Sequence, residues 1–255
     1  MQLFDSHCHL DCVEFDVDRA QVLARCKALG LVGIVLPGVA AAGWDKLLST
    51  AAADPIYYPT LGLHPMYVSE HEEVHLARLE REIALHSVVA IGEIGLDFFV
   101  DGLDRDRQLE LFKAQLAIAA TANLPVVLHV RKAHDEVLAC LRRAPGVRGV
   151  VHAFGGSEQQ ARVYIDLGFK LGFGGAMTYD RALKLRRLAH DLPLSSILLE
   201  TDAPDIPTSA HSGERNSPEY LPEILACLAE LRGETSEHVA AQTTRNALEL
   251  YSISP

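Results

Sequence analysis

Eight short apolar runs rich in β-forming residues, at 3–5, 32–36, 57–63, 88–91, 126–128, 149–151, 170–173 and 197–199, are separated by segments of helical character. Strict alternation of this kind predicts parallel strands joined by right-handed helical crossovers. The clearest helical segment is 104–122, where Leu109, Phe112, Leu116 and Ala119 recur on one face. Eight such units in 255 residues predict an α/β protein of the (β/α)8 TIM-barrel type, with 218–251 forming two helices on its outside. No Ser/Gly/Pro-rich linker, charge block or short repeat interrupts the pattern, so a single domain over 1–255 is expected.

Composition narrows the function classes. Apolar residues at 49% and charged residues at 22% exclude a disordered chain. The longest apolar runs, such as 31–37, fall short of the roughly 18–20 residues of a membrane span, so no membrane association is expected. The first residues lack a basic segment followed by an apolar one, and a cytoplasmic location is the expectation. Cys8, Cys12, Cys26, Cys140 and Cys227 are scattered, odd in number and free of any CxxC pair, as reduced packing residues would be. A net charge of −11 argues against a basic surface that grips nucleic acid by its phosphates, so a polyanion would have to be held locally.

In barrels of this type chemistry gathers at the C-terminal ends of the strands, which makes the residues there informative. The first run ends in Asp5-Ser6-His7-Cys8-His9, the third in Gly62-Leu63-His64-Pro65 and the fourth in Gly92-Glu93-Ile94-Gly95-Leu96-Asp97. The fifth ends in His129-Val130-Arg131, the sixth in His152-Ala153-Phe154 and the eighth in Glu200-Thr201-Asp202-Ala203-Pro204. His7 and His9, two apart on extended chain, project to the same side and can reach one ion. An HxH alone is weak evidence, but Glu93, His129, His152 and Asp202 at other strand ends turn it into a convergent set. Burying so many imidazoles and carboxylates without a partner would cost several kcal/mol, which a divalent metal removes.

The segments HCH at 7–9, GLHP at 62–65, IGEIGLD at 91–97, LPVVLHVR at 124–131, VVHAFGG at 150–156 and LLETDAP at 198–204 resemble, in order, those of the TatD family of metal-dependent deoxyribonucleases. The resemblance implies an amidohydrolase-type barrel with a one- or two-metal hydrolytic site. It implies that His7, His9 and Asp202 hold one ion, that His129 and His152 hold the other, and that Glu93 bridges them. Many relatives have an aromatic residue after the Ala-Pro of the last motif, whereas this chain has Asp205.

Four neutral imidazoles and two carboxylates against two divalent ions leave such a site positive by roughly two charges, enough to attract phosphate to an acidic protein. Paired ions activate water and stabilise a leaving oxygen, with Asp202 the candidate to accept the water's proton. Imidazoles suit zinc, nickel or manganese, and the carboxylates admit magnesium. His64 is a candidate substrate contact. Arg131 is placed either to meet a phosphate or to pair with an acidic neighbour. Glu200 either orients a ligand from behind or is structural. Asn216 is expected to fix a loop, and His71, His75, His86, His134, His190 and His238 are expected to be surface residues on helices. Trp44 and Tyr67 are isolated aromatics without a basic stripe. The leading expectation is a divalent-metal-dependent phosphodiesterase or deoxyribonuclease acting, in the manner of a 3′-5′ exonuclease, on DNA ends; the alternative is amide or ester hydrolysis of a small metabolite. A monomer suffices for either.

Overall fold

The computed structural model describes residues 1–254. In chain order the elements are β1 Leu3–Asp5, α1 Arg19–Ala28, β2 Leu31–Pro37, α2 Trp44–Ala52, β3 Tyr57–Leu61, α3 Glu73–Leu85, β4 Ala90–Asp97, α4 Arg105–Ala122 and β5 Val126–Arg131. They continue with α5 His134–Leu141, β6 Gly149–Val151, α6 Glu158–Asp166, β7 Phe169–Phe173, α7 Leu183–Asp191, β8 Ile197–Leu199, α8 Leu221–Arg232 and α9 Ser236–Leu250. The strands form one sheet in the order β1 to β8, a (β/α)8 barrel. Among the described residues no helix is long and apolar enough to cross a membrane.

Contacts group the chain into two compact units, Met1–Leu36 with 171 onward, and Pro37–Lys170. In the first unit, Leu3, Phe4 and Asp5 of β1 register with Leu31, Gly33 and Ile34 of β2, and Leu171, Gly172 and Phe173 of β7 with Ile197, Leu198 and Leu199 of β8. Beyond these strands the β1 and β8 loops zip together: Ser6 N donates to Leu199 O (3.0 Å), Asp202 N to His7 O (2.8 Å) and His9 N to Ala203 O (2.8 Å). Helix α9 closes this side, with Asn246 Nδ2 donating to Leu194 O and Ile197 O, both at 2.8 Å.

In the second unit β4 is longer than the expected 88–91, because Gly92 and Glu93 sit within the strand rather than ending it. Ile91 registers with Val126 but Ile94 with Leu128, so β4 carries one extra residue there. A bulge of this kind re-aims a side chain, here that of Glu93. Gly95 has φ +142°, and a Cβ on it would stand 2.0 Å from His129 O, so only glycine allows β4 to run this close to β5. The buried face of α4 holds Phe112, Leu116 and Ala119 as expected, but Leu109 is only half-buried, and Gln108 and Gln115 are buried as well. Each glutamine brackets one residue's backbone. Gln108 accepts from Asp97 N (2.8 Å) and donates to Asp97 O (3.0 Å); Gln115 accepts from Leu63 N (2.7 Å) and donates to Leu63 O (3.2 Å). A buried amide satisfied at both ends aligns a helix more specifically than apolar contact does.

Candidate metal centre

In the first unit, His7 and His9 turn their Nε2 atoms toward one another at 3.3 Å, and Asp202 Oδ1 lies 3.5 Å from the first and 3.8 Å from the second. Behind them is Asp5, which is fully buried. Its carboxylate accepts from His7 N (3.2 Å), Thr201 N (3.0 Å) and Thr201 Oγ1 (2.6 Å), and burial pushes its pKa up to about 7 against those hydrogen bonds. Asp202 adopts a left-handed backbone, φ 57°, a conformation Asp tolerates better than most residues. Its loop is anchored by buried Asn216, whose Nδ2 lies 2.7 Å from Thr201 O, 2.6 Å from Asp205 O and 3.2 Å from Ile206 O. Asp205 itself is exposed. Glu200 is buried with its carboxylate against Gly172, where a Cβ would stand 2.1 Å from Oε2.

In the second unit three imidazoles surround one carboxylate oxygen. Glu93 Oε1 lies 3.0 Å from His64 Nε2, 3.0 Å from His129 Nδ1 and 2.9 Å from His152 Nε2, and His129 Nδ1 is 3.3 Å from His152 Nε2. Hydrogen bonds to the opposite ring nitrogens distinguish these histidines. His64 Nδ1 accepts from Met66 N (3.1 Å), so a neutral His64 carries its proton on Nε2 and donates to Glu93. His129 Nε2 lies 2.9 Å from Asp97 Oδ2, which leaves Nδ1 as the lone-pair atom. Burial disfavours charge on both members of that pair. The hydrogen bonds from His129, Val100 and Phe99 nonetheless bring the Asp97 pKa down to about 2, and the contacts to Asp97 and Glu93 raise that of His129.

Donor chemistry and spacing in each cluster fit a divalent cation. Tetrahedral zinc with nitrogens at about 2.0–2.1 Å places those nitrogens about 3.3–3.4 Å apart, the separation seen in both histidine pairs. Imidazole with carboxylate also suits nickel and manganese. Asp97 and Asp5 are the orienting carboxylates that metal-binding histidines and their loops use.

Other side chains fall differently from the sequence reading. His71 is buried rather than on a helix surface, its Nε2 donating to His64 O at 2.9 Å, and burial lowers its pKa. His134 is half-buried against Tyr164 and Phe154. Trp44 is a core residue, its Nε1 donating to Gly62 O. Arg131 has its Nη1 3.6 Å from Asp97 Oδ2 and its guanidinium 4.3 Å from the ring centre of Phe99. Asp5, Asp97 and Phe99 had no role assigned from sequence. The signal available was position alone, each standing at or just past a strand end.

A parallel barrel with imidazole and carboxylate clusters at its strand ends offers the donor set of a metal-dependent hydrolase. A family model described as TatD related DNase matches residues 4–252, and the chain belongs to that family. It is 40% identical over 255 residues to the uncharacterized metal-dependent hydrolase YjjV of Escherichia coli K12, covering 99% of this chain and 98% of that one. It is 36% identical over 261 residues to the 3′-5′ ssDNA/RNA exonuclease TatD of Erwinia billingiae, covering 98% and 99%. The crystal structure of the E. coli YjjV protein superposes with a TM-score of 0.95 at 39% identity, covering 99% of this chain and 98% of that one.

Proposed function

We propose that this hydrolase cleaves phosphodiester bonds at DNA ends, in the 3′-5′ direction, using two divalent ions. In this reading His7, His9 and Asp202 hold one ion, His129 and His152 hold the other, and Glu93 is shared between them. The observation that carries it is the pair of donor clusters, each backed by a buried carboxylate that fixes an imidazole or its loop. The family and the exonuclease name of the Erwinia relative favour a nucleic acid over other esters. Bound ions would supply an acidified water and positive charge for the phosphoryl oxygens. Asp202, whose side chain keeps 12% of its surface exposed, is placed to accept the proton of the attacking water. Asp97 keeps His129 in the ligating tautomer, and His64 donates to Glu93 and presents an edge to substrate. Arg131 attracts the phosphate, and Glu200 supports the site from beneath. The chain 1–255 works as one catalytic domain in the cytoplasm.

The net charge of −11 favours a second reading, hydrolysis of an ester or amide in a small metabolite, for which no polyanion need approach. One assay separates the two. Protein purified without added metal is analysed for metal content, chelated, and reconstituted with zinc, manganese, nickel or magnesium. It is then given end-accessible DNA, closed circular DNA, a simple phosphodiester, and neutral esters and amides. Cleavage confined to phosphodiesters, starting at termini and lost on chelation, is expected. Rapid turnover of neutral compounds with none on any phosphodiester would replace this reading with the second.

A further inference from the structure

Two large aromatic rings stand exposed beside the Glu93 cluster. Tyr67, in the 3-10 segment Pro65–Glu70 that follows β3, is 40% exposed, and its ring centre lies 6.0 Å from that of His64. Phe99, two residues past β4, is 55% exposed even with the Arg131 guanidinium laid over it. The strands that carry them are hydrogen-bonded neighbours. Core packing alone does not account for either ring, since about half of the burial that rewards a Phe or Tyr in a loop is forgone at these positions.

The Phe99 loop is also rigidly referenced to the candidate centre. Asp97 Oδ1 accepts from Phe99 N (2.9 Å) and Val100 N (3.0 Å), while Oδ2 of the same carboxylate meets His129 Nε2 at 2.9 Å and Arg131 Nη1 at 3.6 Å. One buried group thus meets an imidazole of the cluster, a cation suited to phosphate, and the backbone from which an exposed ring projects. Phosphate beside a flat apolar face is the chemistry of a nucleotide.

Building on the phosphodiesterase reading, and on the single-stranded substrates in the name of the Erwinia relative, we propose that Phe99 with Arg131, together with Tyr67, are the residues on which the unpaired bases at the end of a nucleic-acid strand stack. Stacking reads the π-face that every base shares, so selection is for unpaired bases and not for sequence. A duplex end must fray to reach the rings, and an abasic terminus offers them nothing.

The test compares a cleavage-resistant single-stranded oligonucleotide carrying 2-aminopurine at its 3′ end with cleavable strands whose terminal nucleotides are intact or abasic. All are given to metal-loaded wild-type protein and to the Phe99→Ala, Phe99→Trp and Tyr67→Ala variants, whose folding is checked by circular dichroism. Wild type should quench the 2-aminopurine and prefer intact over abasic ends by roughly ten- to a hundredfold in kcat/KM, the range of a stacked base. Phe99→Ala should lose most of the quenching and of that preference, Tyr67→Ala part of both, and Phe99→Trp should retain them. Unaltered quenching and preference in Phe99→Ala overturn the proposal. Equal cleavage of intact and abasic ends by wild type overturns the stacking role while leaving the phosphodiesterase reading standing. Failure to cleave any strand, with neutral esters hydrolysed, removes both.

Discussion

The Asp97 carboxylate holds His129 Nε2 at 2.9 Å, so the imidazole meets Glu93 through Nδ1. Asp97→Asn keeps an acceptor at that position but removes the charge that fixes the tautomer and raises the basicity of the ring. Metal affinity should weaken by about ten- to a hundredfold, the usual loss when such a partner is altered. Competition with a chelating dye measures it. Undiminished affinity would show that the pair orients the loop and not the ligand.

Asp202 is proposed to hold an ion and to take a proton. Asp202→Asn can still offer an oxygen but cannot accept a proton near neutral pH, so most of the metal should stay while kcat falls by about two to four orders of magnitude. Metal analysis and single-turnover kinetics on the same preparation distinguish the roles. Loss of one ion with the rate would mark Asp202 as chiefly a ligand.

Gly172 leaves room for the Glu200 carboxylate, and a Cβ there would stand 2.1 Å from Oε2. Gly172→Ala should therefore destabilise by about 1–3 kcal/mol through overpacking, a loss of several degrees in Tm. In the double variant with Glu200→Ala the two losses should not add, because the second change removes the clash. Additive losses in thermal denaturation would show that Glu200 does not depend on this gap.

Substrate held at a local positive centre displaces few counterions. The affinity for a DNA end should therefore fall gently with salt, with a slope corresponding to about one to three phosphates. Titrations across salt concentrations give that slope directly. A slope of six or more would require an extended phosphate track, which a chain with net charge −11 must build against its own field.

Much of this architecture was legible because it is written in local pattern. The period of apolar runs located all eight strands, and their polar ends pointed to His7, His9, Glu93, His129, His152 and Asp202. What was hidden depends on partners distant in sequence. Gln108 and Gln115 look like surface residues of α4 until the Asp97 and Leu63 backbones they bracket come into view. His71 reads as one more helical histidine until its proton is traced to the His64 carbonyl. The apolar run stops at Ile91, which hid the continuation of β4 through Glu93 to Asp97. The exposed ring of Phe99 carried no pattern at all, because one side chain at a loop tip has no period.

Asn216 draws the carbonyls of Thr201, Asp205 and Ile206 onto one side-chain amide. The effect is that of a clasp on a necklace: the length of chain between Ile206 and Arg215 leaves from a closed ring, and its own ties run to Thr178 and Glu223. Insertions, deletions or a proteolytic nick at 207–214 should leave the Asp202 carboxylate where it is. The lip of the barrel beside it is thus open to evolutionary change at little cost to the chemistry.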